Sequence, residues 1–126
     1  MASKPYDYAR KKVFYCWSDE PVRDVARRLV RENVGSMVVK DKSGKHVGML
    51  TDSLIFESIS AGLEMCDTRV RELDLEPLVT APMSIDINEA LQKFKKTRAS
   101  RLALVNKKGV IVGILKEKNL KRFALL

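Results

Sequence analysis

The chain has 126 residues, of which 45% are hydrophobic, and 24 Lys and Arg against 16 Asp and Glu give it a formal net charge of +8. This composition is typical of one globular unit and excludes an intrinsically disordered chain. No apolar run approaches the roughly 20 residues that a membrane-spanning helix needs. Residues 1–10 lack the apolar stretch of a signal peptide, so we expect a cytoplasmic protein that does not engage a membrane.

The sequence repeats itself once, with an offset of 65 positions. Residues 13–55 align without a gap on residues 78–120. The identical pairs include the turn glycines Gly44 and Gly109 and the strand glycines Gly48 and Gly113. Chance rarely keeps an apolar pattern and the glycines in phase over such a length, so the two segments are predicted to form the same structural unit twice.

Each copy is predicted to run strand, helix, strand, strand, helix. A short extended segment, 13–16 or 78–81, precedes a helix whose capping and first-turn residues lie at 19–21 or 84–86. A strand at 36–40 or 102–105 leads through a Gly-containing turn to a second strand at 47–50 or 111–115. A last helix is predicted to start near Thr51 or Glu117.

The segments outside the repeat are an N-terminal arm and a linker. A helical segment is predicted at 68–73, and by the same offset Tyr8 of the arm matches Leu73. We therefore expect the arm to pack as the linker does. The predicted division is an arm at 1–12, a first motif at 13–62, a linker at 63–77 and a second motif at 78–126. One motif alone would bury little apolar surface, whereas two can share a core.

The cysteines and the single histidine offer little metal chemistry. Cys16 and Cys66 form no Cys-x-x-Cys pair, and His46 alone cannot complete a zinc site with them. We expect no metal, and we expect both cysteines to be small, mostly buried hydrophobic residues. A disulfide would require one of the thermophiles that keep intracellular bridges, and the abundance of Lys, Arg and Glu is typical of heat-adapted proteins.

The first copy carries the run G-S-M-V-V-K-D-K-S-G and then V-G-M-L-T-D, and the second carries R-L-A-L-V-N-K-K-G-V-I-V-G-I-L-K-E. This pattern resembles the CBS domain, and over residues 11–124 the chain resembles a stand-alone CBS pair, or Bateman module. The resemblance implies an α+β (α/β) fold of two β-α-β-β-α motifs, related by a pseudo-twofold and packed through their sheets. It also implies a homodimeric disk that senses adenosine compounds such as AMP, ADP, ATP or S-adenosylmethionine and that is not an enzyme.

The family's ligand signature places a Thr or Ser and an Asp after the second strand, where they hold ribose hydroxyls. The first copy has Thr51 but lacks the Asp at its position, and Asp52 stands two residues early. Phosphate contacts come from just before the first hairpin strand of the opposite motif, where the second copy has Arg98, Ser100 and Arg101. The resemblance thus implies one composite site, Site A, that joins Thr51 and Asp52 to the two arginines.

A second composite site, Site B, is implied by the signature of the second copy. Lys116 stands at the Thr position and Asn119 at the Asp position, and Gly35 and Ser36 are the opposing residues of the first copy. An amide can replace a carboxylate as a partner for a hydroxyl group. The adenine is expected in an apolar slot with backbone partners from the first strands, at Tyr15, Cys16, Thr80 and Ala81.

Other classes of function have less support in the sequence. The sequence contains no phosphate-loop, dinucleotide-binding or zinc-protease motif and too few His for a catalytic triad, so no enzyme and no required cofactor are expected. The expected function is a sensor of an adenine nucleotide, AMP before ATP or ADP, which acts on a downstream protein that the sequence does not identify. The incomplete signatures leave a ligand-free dimerisation or docking module as an alternative, and the basic clusters leave a nucleic-acid-binding protein as another.

Overall fold

The computed structural model describes residues 4–121. The first copy of the repeat follows the predicted order throughout, and the second follows it up to the last helix predicted near Glu117, where Glu117–Asn119 form a 3-10 turn. The first copy contains β1 (Tyr15–Trp17), α1 (Val22–Glu32), β2 (Ser36–Lys40), β3 (His46–Thr51) and α2 (Asp52–Ser60). The second contains β4 (Thr80–Pro82), α3 (Ile87–Thr97), β5 (Arg101–Val105), β6 (Ile111–Lys116) and a 3-10 turn at Glu117–Asn119. The predicted α+β class with two tandem motifs is confirmed. Residues 1–3 of the predicted arm and 122–126 of the predicted second motif lie outside the described residues.

Each copy builds its own three-stranded sheet with the same topology. In the first sheet β1 runs parallel to β2, which pairs antiparallel with β3, and β4, β5 and β6 repeat this order. The register is interrupted between Val39 and Lys40 in the first sheet and between Leu104 and Val105 in the second. Because these positions are 65 apart, the repeat seen in the sequence extends to a local irregularity of the backbone.

The two copies begin their first helix in different ways. Asp86 caps α3, since its Oδ1 accepts a hydrogen bond from the amide of Glu89 at 2.8 Å. Helix α1 begins after Pro21 without a side-chain cap. Glu20 there accepts a hydrogen bond from Arg28 Nη2 at 2.7 Å, so this carboxylate connects the helix to the chain before it.

Each sheet buries its own hydrophobic core against its helices, and the chain separates into two compact units. The first unit comprises residues 14–78, and the second comprises residues 4–13 together with 79–121. The fully buried side chains of the first core include Val22, Val25, Met37, Val39 and Leu50, and those of the second include Ala90, Phe94, Leu102, Leu104 and Leu115. These core residues lie on helices and strands alike, in the segments where the apolar pattern indicated buried positions.

The arm packs on the second sheet as the linker packs on the first. The arm forms a 3-10 turn at Pro5–Tyr8 and the linker forms one at Val70–Glu72, where a longer helix was predicted. A Cβ on Gly113 would lie 3.2 Å from Ala9 of the arm, and a Cβ on Gly48 would lie 3.0 Å from Leu75 of the linker. Glycine at these two strand positions therefore allows each segment to approach its sheet closely.

The expectation for the cysteines is right for one residue and wrong for the other. Cys16 is 2% exposed and belongs to the first core. Cys66 is exposed, because it lies in the irregular linker, where Arg23 Nη1 donates to its Sγ at 3.2 Å. Both are free thiols. In the part of the chain that the structure describes, no helix is both long and apolar enough to cross a bilayer.

Candidate functional site

The predicted site residues of the first unit meet at one end of its sheet. Ser36 starts β2 and lies directly opposite Thr51, the last residue of β3. The two side chains, called the hydroxyl pair below, are 1% and 4% exposed. The amide of Asp52 donates to the carbonyl of Gly35 at 2.9 Å, so all four residues are held together by the hairpin and the start of α2.

Thr51 has a structural role at this place. Its Oγ1 accepts a hydrogen bond from the amide of Leu54 at 3.1 Å and thereby caps α2. The hydroxyl proton of a capping Thr remains able to donate to another acceptor. The side chain of Asp52 lies in the first turn of the same helix, where a negative charge is favoured by the helix dipole.

The equivalent end of the second sheet is basic. Arg101 starts β5 and lies directly opposite Lys116, which ends β6, and we call these two residues the basic pair. Arg101 is only 7% exposed, and its Nη1 donates to Ser100 Oγ at 3.3 Å. The carbonyl of Ser100 in turn accepts from the amide of Glu117 at 3.1 Å. Planar guanidinium and flexible ammonium groups so placed suit a phosphate.

Arg98 and Asn119 lie in the same unit with exposed side chains. Arg98 ends α3 with a φ of 58°, and its amide donates to the carbonyl of Phe94 at 2.9 Å. The side-chain amide of Asn119 donates to the carbonyl of Tyr8 at 3.3 Å, so its oxygen still has acceptor capacity. The roles predicted for both residues stay predictions.

The predicted adenine-contacting residues lie on β1 and β4 and differ in exposure. Cys16 and Ala81 are each 2% exposed and belong to the two cores, so only their backbone atoms are available to a ligand. Burial in the core, together with the charge of Glu20, raises the pKa of the Cys16 thiol to about 12. Tyr15 is half-buried, with the Nζ of Lys40 4.2 Å from its ring centroid, and Thr80 is exposed.

One cation near the basic pair was not connected with it by the sequence analysis. Arg10 of the arm pairs with Ile114 of β6 through two backbone hydrogen bonds of 2.9 Å. Partial burial and the charge of Arg101 lower the pKa of the Arg10 guanidinium. The offset that matched Tyr8 with Leu73 indicated that the arm packs as the linker does, but it aligns Arg10 with Leu75, whereas the linker residue that pairs with β3 is Glu76.

The first unit also carries an apolar groove between α1 and α2 with a volume of about 480 Å³. Its most exposed apolar side chains are Val30, Phe56 and Ile59, with exposed fractions of 82%, 68% and 52%. Asp52 lies at its edge. Among residues 4–121, no three His, Cys, Asp or Glu side chains are grouped closely enough to hold a metal ion.

The repeated fold and the polar strand ends define a protein built from two copies of one small α+β motif. The CBS domain family model matches the chain twice, at residues 6–61 and 70–125. The chain belongs to the CBS domain family.

Among curated proteins, the chain is similar to an inosine-5'-monophosphate dehydrogenase of Thermoplasma acidophilum, with 35% identity over 84% of this chain and 21% of the dehydrogenase. It is also similar to an uncharacterized protein of Methanopyrus kandleri, with 23% identity over 86% of this chain and 56% of that protein. The chain thus spans about a fifth of the first of these relatives and a little over half of the second.

Solved structures of similar fold include an uncharacterized conserved protein from Pyrococcus horikoshii, with 27% identity, a TM-score of 0.76, and coverage of 97% of this chain and 92% of that one. A CBS domain protein from Pyrobaculum aerophilum complexed with AMP has 17% identity and a TM-score of 0.78, over 98% of this chain and all of that one. The CBS domain pair of protein MJ0100, in complex with 5'-methylthioadenosine and S-adenosyl-L-methionine, has 20% identity and a TM-score of 0.76. The match covers 97% of this chain and 99% of that one.

Proposed function

We propose that this chain is a non-enzymatic regulatory module that binds an adenine nucleotide, with AMP as the first ligand and ADP and ATP as further ones. The observation that carries the proposal is the basic pair, in which Arg101 and Lys116 face each other across two strands while Arg101 is almost fully buried. Burying a guanidinium costs free energy, and a bound phosphate offsets that cost. The complexes of similar CBS proteins with AMP and with adenosine derivatives support the same class of ligand.

The second unit offers groups that suit two parts of a nucleotide. Arg101 and Lys116, with Ser100 and Arg98 in the same unit, suit phosphate oxygens. Asn119 suits the ribose, whose hydroxyl groups both donate and accept hydrogen bonds, and the hydroxyl pair offers the same chemistry in the first unit. Binding at these strand ends would favour one conformation of the module, and a partner protein would respond to that shift.

Calorimetry tests the ligand class directly. We expect AMP to bind with micromolar to millimolar affinity, and Arg101→Ala to weaken it about 10- to 100-fold, because a charge-assisted hydrogen bond contributes about 1.5–3 kcal/mol. Lys107→Ala removes an exposed positive charge from the turn at the other end of β5 and β6 and serves as the control. No AMP, ADP or ATP binding at millimolar concentration would contradict the proposal. Binding to mixed DNA or RNA at physiological salt that is tighter than to AMP would favour the nucleic-acid alternative.

We also propose that the apolar groove of the first unit is covered by a second copy of this chain. Val30 and Phe56 are exposed there, whereas the residues 65 positions later are Lys95 and Lys121. The second unit therefore carries charge where the first carries apolar surface. An isologous pair of first units would bury the same apolar patch on both subunits, which is the common way to close a homodimer.

A further inference from the structure

The sheet of the second unit presents three cations on the face that lies away from its core. Leu102, Leu104 and Leu115 point into the core. Strand side chains alternate, so Arg101 and Lys116 point to the opposite face. Arg10 shares that face, because it is the direct partner of Ile114, which is two residues before Lys116 on β6.

The arm is fastened so that Arg10 cannot leave this face without breaking main-chain contacts. Its amide donates to the carbonyl of Ile114, and the amide of Ile114 donates back to the carbonyl of Arg10, both at 2.9 Å. Ala9 packs against Gly113, with the side chain of Lys11 hydrogen-bonded to the carbonyls of Tyr6 and Ala9. The guanidinium of Arg10 is also oriented by its Nη1, which donates to the carbonyl of Lys12 at 3.0 Å.

This accumulation of positive charge is specific to the second unit. In the first unit the three equivalent places hold Ser36, Thr51 and Glu76, the last of which pairs with Met49 as Arg10 pairs with Ile114. The same fold therefore forms with two hydroxyls and a carboxylate at these places, and the three cations are not needed to build it. Burial and the charge of Arg101 both lower the pKa of Arg10, so bringing its guanidinium to this face opposes the packing of the arm.

We propose that Arg10 is a phosphate-binding residue that acts together with Arg101 and Lys116, so that a phosphate ligand also fastens the N-terminal arm to β6. This inference rests on the proposed function, since it adds a residue and a structural consequence to that nucleotide site. A dianionic phosphate between the three side chains replaces repulsion by charge-assisted hydrogen bonds. Adenosine derivatives without a phosphate gain nothing from Arg10.

The test compares a ligand with a phosphate and one without in the full chain. Arg10→Gln is expected to lower AMP affinity about tenfold, equivalent to about 1.4 kcal/mol, and to leave 5'-methylthioadenosine affinity within about twofold of the wild type. Arg10→Lys is expected to recover part of the loss, and Lys107→Gln, at the exposed turn of the same unit, to change neither affinity. Wild-type AMP affinity in Arg10→Gln would overturn the inference while leaving the proposed function intact.

Hydrogen exchange gives a second measurement that does not depend on the variant. The amide of Ile114 donates to Arg10, so AMP should slow its exchange more than 5'-methylthioadenosine does. Equal protection by both ligands would count against a phosphate link to the arm. If the wild type bound no nucleotide, the proposed function would fail. The inference would then be tested by adding inorganic pyrophosphate to the wild type and following the Arg10 Nε resonance. A shift of the Arg10 Nε resonance would support it, and an unchanged resonance would overturn it.

Discussion

Ser36 and Thr51 are direct cross-strand partners at the end of the first sheet, and both side chains are almost fully buried. The same two positions of the second sheet hold Arg101 and Lys116. One fold therefore presents two hydroxyl groups in one unit and two cations in the other. The two otherwise repeated units therefore differ in chemistry at equivalent strand ends.

Removal of the Thr51 hydroxyl should destabilise α2. Thr51→Ala loses the hydrogen bond from the amide of Leu54 to Oγ1, and a lost N-cap costs about 1 kcal/mol, or about 3–6 °C in Tm. Thr51→Ser keeps the hydroxyl and is expected to stay within about 2 °C of the wild type. Thermal unfolding followed by circular dichroism measures both variants. A Tm for Thr51→Ala equal to that of Thr51→Ser would contradict the capping role.

Gly48→Ala should be more destabilising than Gly44→Ala, although both glycines have positive φ. A Cβ at Gly48, where φ is +156°, would lie 3.0 Å from the carbonyl oxygen of Glu76 and 3.0 Å from the Cβ of Leu75. A Cβ at Gly44, where φ is +84°, would meet no atom within 4 Å.

We expect a loss of about 1–2 kcal/mol for Gly44→Ala from backbone strain alone, and about 2–4 kcal/mol for Gly48→Ala, where the linker must also move. Urea denaturation gives both free energies of unfolding. Equal losses would show that the linker does not pack tightly on β3.

Much of this fold could be predicted because it depends on local patterns. A short apolar run indicated β2 at 36–40, and the structure has the strand at Ser36–Lys40. The first strands were placed about two residues too early, since Tyr15–Trp17 is fixed by its parallel pairing with Val38–Lys40 rather than by its own pattern. The position of Arg10 depends on a bridge to a residue 104 positions later, and no local pattern could indicate which cations meet there.

The two thiols should differ strongly in reactivity. Cys66 is exposed and should react with a disulfide reagent at pH 8 within minutes, because the reagent reaches an exposed thiol directly. Cys16 is buried, and its pKa is raised to about 12, so it should react only when the first unit opens. Cys66→Ser is then expected to remove the fast phase alone. A fast phase that survives in Cys66→Ser would contradict the burial of Cys16.

The raised pKa of the Cys16 thiol also makes the stability of the fold depend on pH. In the unfolded chain Cys16 loses its proton near pH 8.5–9, whereas in the folded chain it keeps the proton up to about pH 12. Between these pH values the folded chain therefore binds more protons than the unfolded chain. The free energy of unfolding falls there as the pH rises, and Cys16 contributes at most about 1.4 kcal/mol per pH unit to that fall. Cys16→Ala should show a shallower loss of stability above pH 9 than the wild type, and parallel curves for the two proteins would contradict it.

Introduction of a charge into the apolar groove should separate the proposed dimer. Phe56 is 68% exposed on α2, and an Asp at this position would place an unpaired charge inside an isologous interface on both subunits. We expect Phe56→Asp to raise the dimer dissociation constant at least about tenfold without a loss of Tm, since the side chain lies outside the core of the unit. Sedimentation at several protein concentrations measures this constant.

The matched control places the same charge on the other unit. Val110 is 52% exposed in the turn between β5 and β6, so Val110→Asp should leave the dissociation constant within about twofold of the wild type. A wild type that stays monomeric at all concentrations, or a Phe56→Asp variant that associates as strongly as the wild type, would show that the groove is not the dimer interface. A loss of association in Val110→Asp instead would place the contact on the second unit, where the exposed Lys95 and Lys121 would then need acidic partners on the facing copy.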